Sequence, residues 1–327
     1  MESMDGSAIL SLSSDLRGLF FLEQWDQGFG WIFLMGFLVT VSCGLIGNFM
    51  ILRRMTLMGD ALSHSLLPGV VLAFLFTQSR APIPMAVGAI LASMAAALLI
   101  EFIEKHSRLK RDAVIGIVFT SFFALGVVLI SLFANKVDLD ADCVLYGELG
   151  LTPFAHPVSL FGGYSVPTPV LRMLVVLSIL VVLIVLFYKE WVITAFDPSL
   201  AHALGISVRS FHYGFMLLLS LVVVSTFESV GVILVMAMLV FPGATVALMT
   251  DRLRHRLLLS CLFSALYAFF GVHLALIWDA NIAGAMTVVA GGLFFLVWVV
   301  YRLGQLFKSY GLTSRNAVIK RQYNKLS

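Results

Sequence analysis

Asp60 and His64 lie four residues apart in the otherwise apolar segment Met55-Thr56-Leu57-Met58-Gly59-Asp60-Ala61-Leu62-Ser63-His64-Ser65-Leu66-Leu67-Pro68-Gly69. On a helix this spacing puts both side chains on one face about one turn apart, so a carboxylate oxygen and an imidazole nitrogen can converge on one cation. Ser63 can add a hydroxyl beside them. An ionisable group at membrane depth costs roughly 2.5 kcal/mol or more on insertion scales, which makes such a pair a candidate ion site by default. The competing reading makes Asp60 a helix N-cap and His64 a satisfied interior histidine.

Composition puts that segment in a membrane. Of the 327 residues, 60% are hydrophobic and 12% charged, and the mean hydropathy is +1.01, far more apolar than a soluble domain. Apolar runs about as long as a bilayer span, roughly 20 residues, occupy 30–52, 55–77, 83–103, 113–135, 169–188, 211–227, 229–249, 257–278 and 282–303. The expected fold is all-α, a polytopic integral membrane bundle of eight or nine transmembrane helices. A polar outer tail (1–28) precedes the transmembrane domain (29–305), and a basic cytoplasmic tail (306–327) follows it.

Charge sets the orientation. If every run crosses, only Arg17, Arg80, Lys136 and Arg172 of the 21 Lys and Arg residues fall on one side, and the rest crowd the other. By the positive-inside rule the crowded side is cytoplasmic, so the N-terminus is outside and the C-terminus inside. The net charge of +3 therefore carries no nucleic-acid signal. The first 28 residues lack the basic start and long apolar run of a signal peptide, and 16–25 can lie in the interface as a short amphipathic helix. The stretch 136–168, broken by Pro and Gly, reads as an outer loop. Cys43, Cys143 and Cys261 form no CxxC pair and suggest neither a disulfide framework nor a zinc cluster.

Three further features bear on function. Pro68-Gly69 and Pro242-Gly243 interrupt two spans, where proline removes a helix hydrogen bond and can free backbone groups along a path, although ordinary kinks look the same. Gly88, Ala92 and Ala96 recur every four residues and offer a ridge for close helix packing. Asp197 as N-cap, Pro198 at the first helical position and Gly205 at the end spell a short capped helix on the cytoplasmic side. Its apolar residues, Leu204 and Ile206 among them, suggest a docking element for another protein or a helix lying on the bilayer. Asp112 suits the start of the fourth span electrostatically. Glu228, between the sixth and seventh runs, is either a solvated outer turn residue or a weaker second cation ligand near the entrance.

Taken together, Arg53-Arg54-Met55, Gly59 to His64 and Leu67-Pro68-Gly69 resemble the signature of the zinc, manganese and iron permeases of ATP-binding-cassette importers. Asp112-Ala113 with Ile115-Gly116, Phe196-Asp197-Pro198 to Leu204-Gly205-Ile206, and Val230 to Val235 leading to Phe241-Pro242-Gly243-Ala244-Thr245 extend the resemblance from about residue 30 to about 305. The departures are the two tails and Gly243, where alanine is more usual.

The resemblance implies a permease subunit in the bacterial plasma (inner) membrane whose Asp60 and His64 bind the transported Zn, Mn or Fe ion. It implies that Asp197 to Ile206 docks on a cytoplasmic ATP-binding subunit. It also implies a second permease subunit, of the same or a related chain, and an extracytoplasmic metal-binding protein as partners. The divalent metal would be substrate, with no permanently bound cofactor. Two-fold pairing would double the Asp and His to a set suited to a divalent ion. No GxxxxGK[ST] loop occurs, so ATP hydrolysis by the P-loop route would belong to a partner, and no HExxH suggests a metalloenzyme. The alternative is an ion-coupled secondary metal transporter, for which no internal repeat is visible.

Overall fold

The structure, a computed structural model, describes residues 27–78, 81–133, 149–160 and 164–326, with side chains as far as residue 305 apart from a few positions that include Glu228. The segment 16–25 and the loop residues 134–148, Cys143 among them, lie outside the described residues. Eleven helices can be followed in the described parts. They are α1 (Gln27–Leu52), α2 (Thr56–Ser65), α3 (Leu67–Thr77), α4 (Pro82–His106), α5 (Arg111–Phe133), α6 (Thr168–Leu186), α7 (Tyr188–Phe196), α8 (Pro198–Ala203), α9 (Val208–Ala247), α10 (Leu253–Trp278) and α11 (Ile282–Leu326). Between α5 and α6 lie a 3-10 turn (Leu149–Phe154) and an antiparallel hairpin of β1 (Pro157–Leu160) with β2 (Tyr164–Pro167).

Eight helical stretches among the described residues are long and apolar enough to cross a membrane. The apolar run at 229–249 is the exception. Gly231 adopts φ 72° and ψ 171°, a conformation that breaks the helix and that only glycine takes easily. The apolar helix beyond it, Leu234–Ala247, reaches only about 21 Å at the standard rise. Its direction follows from its neighbours. Phe215 sits against Arg53 at the far end of α1, Thr226 reaches the level of Cys43, and Gly243 returns to Asn48 and Ile51. The two halves of α9 therefore run antiparallel, as eight full-length spans and one short return.

α1 is the central post. It packs along α9, α10 and α6, and its polar residues are paired within the bundle, as a membrane interior without water requires. Asn48 Nδ2 donates to Gly44 O at 2.7 Å and to Ser260 Oγ at 2.6 Å. The Thr40 hydroxyl donates to Gly36 O at 2.9 Å. Thr245 Oγ1 and Tyr267 Oη share a bond of 2.9 Å. At the end of α1, Arg54 takes a left-handed φ of 56°. Met55 N–H then bonds back to Met50 O at 2.9 Å and Arg54 N–H to Ile51 O at 3.1 Å. This double cap stops α1 and launches α2 back into the bundle.

α2 and α3 form one span with a joint at Leu66, where Pro68 has no N–H to give to the carbonyl of His64. The joint is held by close backbone contact. A Cβ on Gly69 would overlap the Gly88 carbonyl and the Ala92 methyl, and one on Gly88 would meet Ala73 and Gly69. The small-residue ridge of α4 thus serves the packing expected of it, and Ala96 is fully buried. Gly69→Ala is expected to lower the thermal unfolding midpoint in detergent by several degrees, because the obstructing atoms are backbone and overpacking costs about 1–3 kcal/mol. Gly292→Ala, where a Cβ meets nothing within 4 Å, is expected to leave the midpoint unchanged or slightly raised. Equal effects at the two positions would remove the close-contact account.

The outer loop expected at 136–168 packs back on the protein where it is described. Leu149 and Thr152 are buried, Pro153 touches Gly28 at the start of α1, and Gly150 faces Ile282 at the start of α11. α11 continues as helix past residue 305 to Leu326.

Candidate functional site

Asp60 and His64 lie where the spacing put them, on one face of α2, with His64 Nε2 3.3 Å from Asp60 Oδ1. Their neighbours Met58, Ala61, Leu62 and Ser65 are buried. The pair itself is open on one side, at 30% and 27% side-chain exposure for Asp60 and His64. α5 supplies the wall. The His64 ring sits 5.6 Å from that of Phe119 and 5.7 Å from that of Phe123, the second edge-on. These two aromatics, one turn apart on α5, fix the imidazole without taking up a ring nitrogen. Sequence reasoning did not find them, because apolar helices carry phenylalanines throughout and only the fold shows which ones face the histidine.

An oxygen and a nitrogen ligand from a single turn, with an open side, can hold a divalent ion and leave coordination positions for other groups. No cluster of three or more His, Cys, Asp and Glu side chains occurs among the described residues. Among the described residues the donor set is therefore partial. Ser63 is buried, and its hydroxyl donates to Gly59 O at 2.8 Å, with Met236 Sδ at 3.9 Å. Its oxygen keeps a free lone pair, but it faces the short return helix. Glu228 lies in α9, three positions before the break at Gly231, and its side chain is outside the described residues.

The capped helix is built as its residue types require. Asp197 Oδ1 accepts from the N–H groups of Ser199 and Leu200, both at 3.0 Å, and Pro198 occupies the first turn of α8. At the other end Gly205 takes φ 77°. Ile206 N–H bonds to Ala201 O at 2.9 Å and Gly205 N–H to His202 O at 3.1 Å, a complete double cap. Ala201 anchors the helix by full burial, while Phe196, Leu200 and Leu204 are 62%, 49% and 59% exposed. The capped six-residue helix and the residues that flank it thus expose three apolar side chains. Asp112 takes its expected place in the first turn of α5.

The same end of the bundle holds a group of charges that sequence reasoning did not assemble. Glu101 of α4 contacts His212 of α9 through its Oε1, and Lys105 Nζ lies 3.8 Å from its Oε2. Arg53 donates to Thr194 Oγ1 at 3.2 Å and covers the Phe215 ring at 4.7 Å. These residues come from four separated stretches, so no local pattern could have signalled the cluster.

Comparison with known proteins accords with this architecture. The chain is 44% identical over 262 residues to the manganese transport system membrane protein MntD of Bacillus subtilis, covering 80% of this chain and 88% of that protein. It is 41% identical over 268 residues to the zinc transport system membrane protein TroD of Treponema pallidum, covering 82% and 72%. Among solved structures, PsaBC from Streptococcus pneumoniae in complex with Fab superposes with a TM-score of 0.70 at 32% identity, over 88% of this chain and 95% of that one. Residues 27–302 match the ABC 3 transport family. With a family match over most of its length, relatives above 40% identity and a shared membrane fold, this multi-pass membrane protein belongs to the ABC 3 transport family.

Proposed function

We propose that this chain is the permease subunit of an ATP-driven importer of a divalent transition metal, manganese or zinc being favoured by the names of its relatives. The observation that carries the reading is the Asp60–His64 pair, two metal-ligating groups 3.3 Å apart on one helix and open on one side. Two ligands from one chain suit a site completed by a second permease subunit or by the hydration shell of the ion. The metal passes as cargo. ATP is hydrolysed by a separate cytoplasmic subunit seated on the exposed face of α8, and an extracytoplasmic binding protein delivers the ion. In this reading the basic end of the bundle faces the cytoplasm of a bacterium, the N-terminus lies outside and the C-terminus inside, as the positive-inside rule requires. Affinity order alone places zinc above manganese and iron at such an N,O site. Uptake of Zn, Mn and Fe(II), measured in parallel in cells carrying the chain with its partners, identifies the cargo.

Glu228 has a smaller part in this scheme, that of receiving the ion at the outer end before Asp60 and His64 take it. Glu228→Gln is expected to reduce uptake about two- to fivefold at limiting metal and not at saturation, because a lost ligand charge weakens capture and not passage. Unchanged uptake across the whole concentration range would leave Glu228 as a residue of the turn.

A further inference from the structure

Behind the capped helix, at the basic end of the bundle, lies a cavity of about 840 Å³. Four cations, Arg53, Lys105, Arg111 and Arg209, line it against one carboxylate, Glu101. That carboxylate is already engaged by His212 and Lys105, and Arg111 lies 3.7 Å from Glu104 outside the cavity lining. Arg53 and Arg209 meet no carboxylate among the described residues. Arg53 is also held in place, its guanidinium fixed by Thr194 and by the Phe215 ring, with its Nε buried and without a hydrogen-bond partner. Burial pushes the guanidinium down to about 10, so it remains charged at neutral pH while partly desolvated.

A fixed guanidinium that shares a cavity with a second cation meeting no carboxylate among the described residues suits an anion. A metal ion is a poor fit, since four cations of the lining outnumber its one carboxylate, Glu101. The position of the cavity narrows the choice of anion. Pro198, Gly205 and Ile206, at the two ends of the capped helix, line it, so the cavity adjoins the element that carries the exposed Leu200 and Leu204. We propose that the cavity receives a carboxylate side chain of the ATP-binding subunit, taken by Arg53 and Arg209, as a second contact beside the apolar one on α8. This rests on the reading of α8 as the docking element. The apolar contact supplies area, and the ion pair supplies register, because an Arg fork accepts a carboxylate in few orientations.

The test is a titration of the ATP-binding subunit onto the permease in lipid nanodiscs, at about 0.1 M and about 1 M salt, between which the screening length falls from roughly 10 Å to roughly 3 Å. Arg53→Gln and Arg209→Gln are each expected to weaken binding about three- to tenfold at low salt, and by less at high salt, where the wild type has itself lost this contribution. Charge reversal at the responsible acid of the ATP-binding subunit should be rescued by Arg209→Glu. If Arg53→Gln fails to accumulate, the exposed Arg209 carries the test. Full affinity in Arg209→Gln at low salt would overturn the proposal. So would binding of inorganic phosphate by the permease alone that is lost in Arg209→Gln while affinity for the subunit stays intact, since the cavity would then serve a free anion. Leu200→Asp with Leu204→Asp separates the two levels. If that variant loses the subunit and the arginine variants do not, docking on α8 stands and the carboxylate receptor falls. If that variant keeps the subunit, docking on α8 itself falls.

Discussion

Asp60→Asn and His64→Ala are each expected to reduce metal uptake by about 100-fold or more, since even loss of groups that only support a metal ligand costs about 10–100-fold in affinity or activity. The charge is the issue at Asp60, because Asn keeps the size of the side chain and one oxygen but removes the negative charge that a divalent ion needs on leaving water. At His64 the nitrogen donor is lost outright. The fold should tolerate both changes. The two side chains are partly exposed and bond mainly to each other, so truncation leaves no deeply buried partner unsatisfied. Membrane insertion, monodispersity in detergent and retention of the ATP-binding subunit are therefore expected to match the wild type. Uptake at the wild-type level in either variant would remove the metal-site reading.

The second large effect is expected at the capped helix. Leu200→Asp combined with Leu204→Asp should abolish copurification of the ATP-binding subunit, with apparent affinity down by about 100-fold or more. Placing two carboxylates in an apolar contact costs several kcal/mol in desolvation with no partner to offset it. Both leucines are about half exposed in the chain alone, so the bundle itself should be unaffected. Ile206 is a less clean choice, because it is half buried and its N–H closes the helix cap. Gly205→Val should act through geometry. At φ 77° a β-branched residue is strained, and the cap that aims Leu204 outward would be lost. Undiminished copurification in the double leucine variant would show that the subunit docks elsewhere.

Much of this was legible in the sequence because the bilayer leaves the chain few choices. A span must be apolar and long, so the helices announce themselves in composition, and the ion-pair spacing at Asp60 and His64 survives in three dimensions because a helix fixes the relation of i to i+4. The capped helix was equally plain, since Asp, Pro and Gly each have a local backbone reason for their positions. Span edges were less so. α9 begins at Val208 and α5 at Arg111, earlier than the apolar runs, because charged side chains at a helix end can reach into the interface. Polarity places a turn at Glu228, whereas the break falls at Gly231, where the backbone freedom of glycine makes it. The wall of Phe119 and Phe123 around His64, and the meeting of Glu101 with His212, depend on how α2, α4, α5 and α9 pack, which no single-helix pattern contains.

The most direct measurement is accumulation of radioactive manganese and zinc in proteoliposomes that contain this chain with its ATP-binding subunit and receive metal from the extracytoplasmic binding protein. The account predicts accumulation of at least one of the two metals that requires ATP. It should stop when the ATP-binding subunit is made unable to hydrolyse nucleotide, and it should be lost in Asp60→Asn with the assembly intact. Accumulation by this chain alone, driven by an ion gradient and indifferent to ATP, would contradict it and identify a secondary transporter.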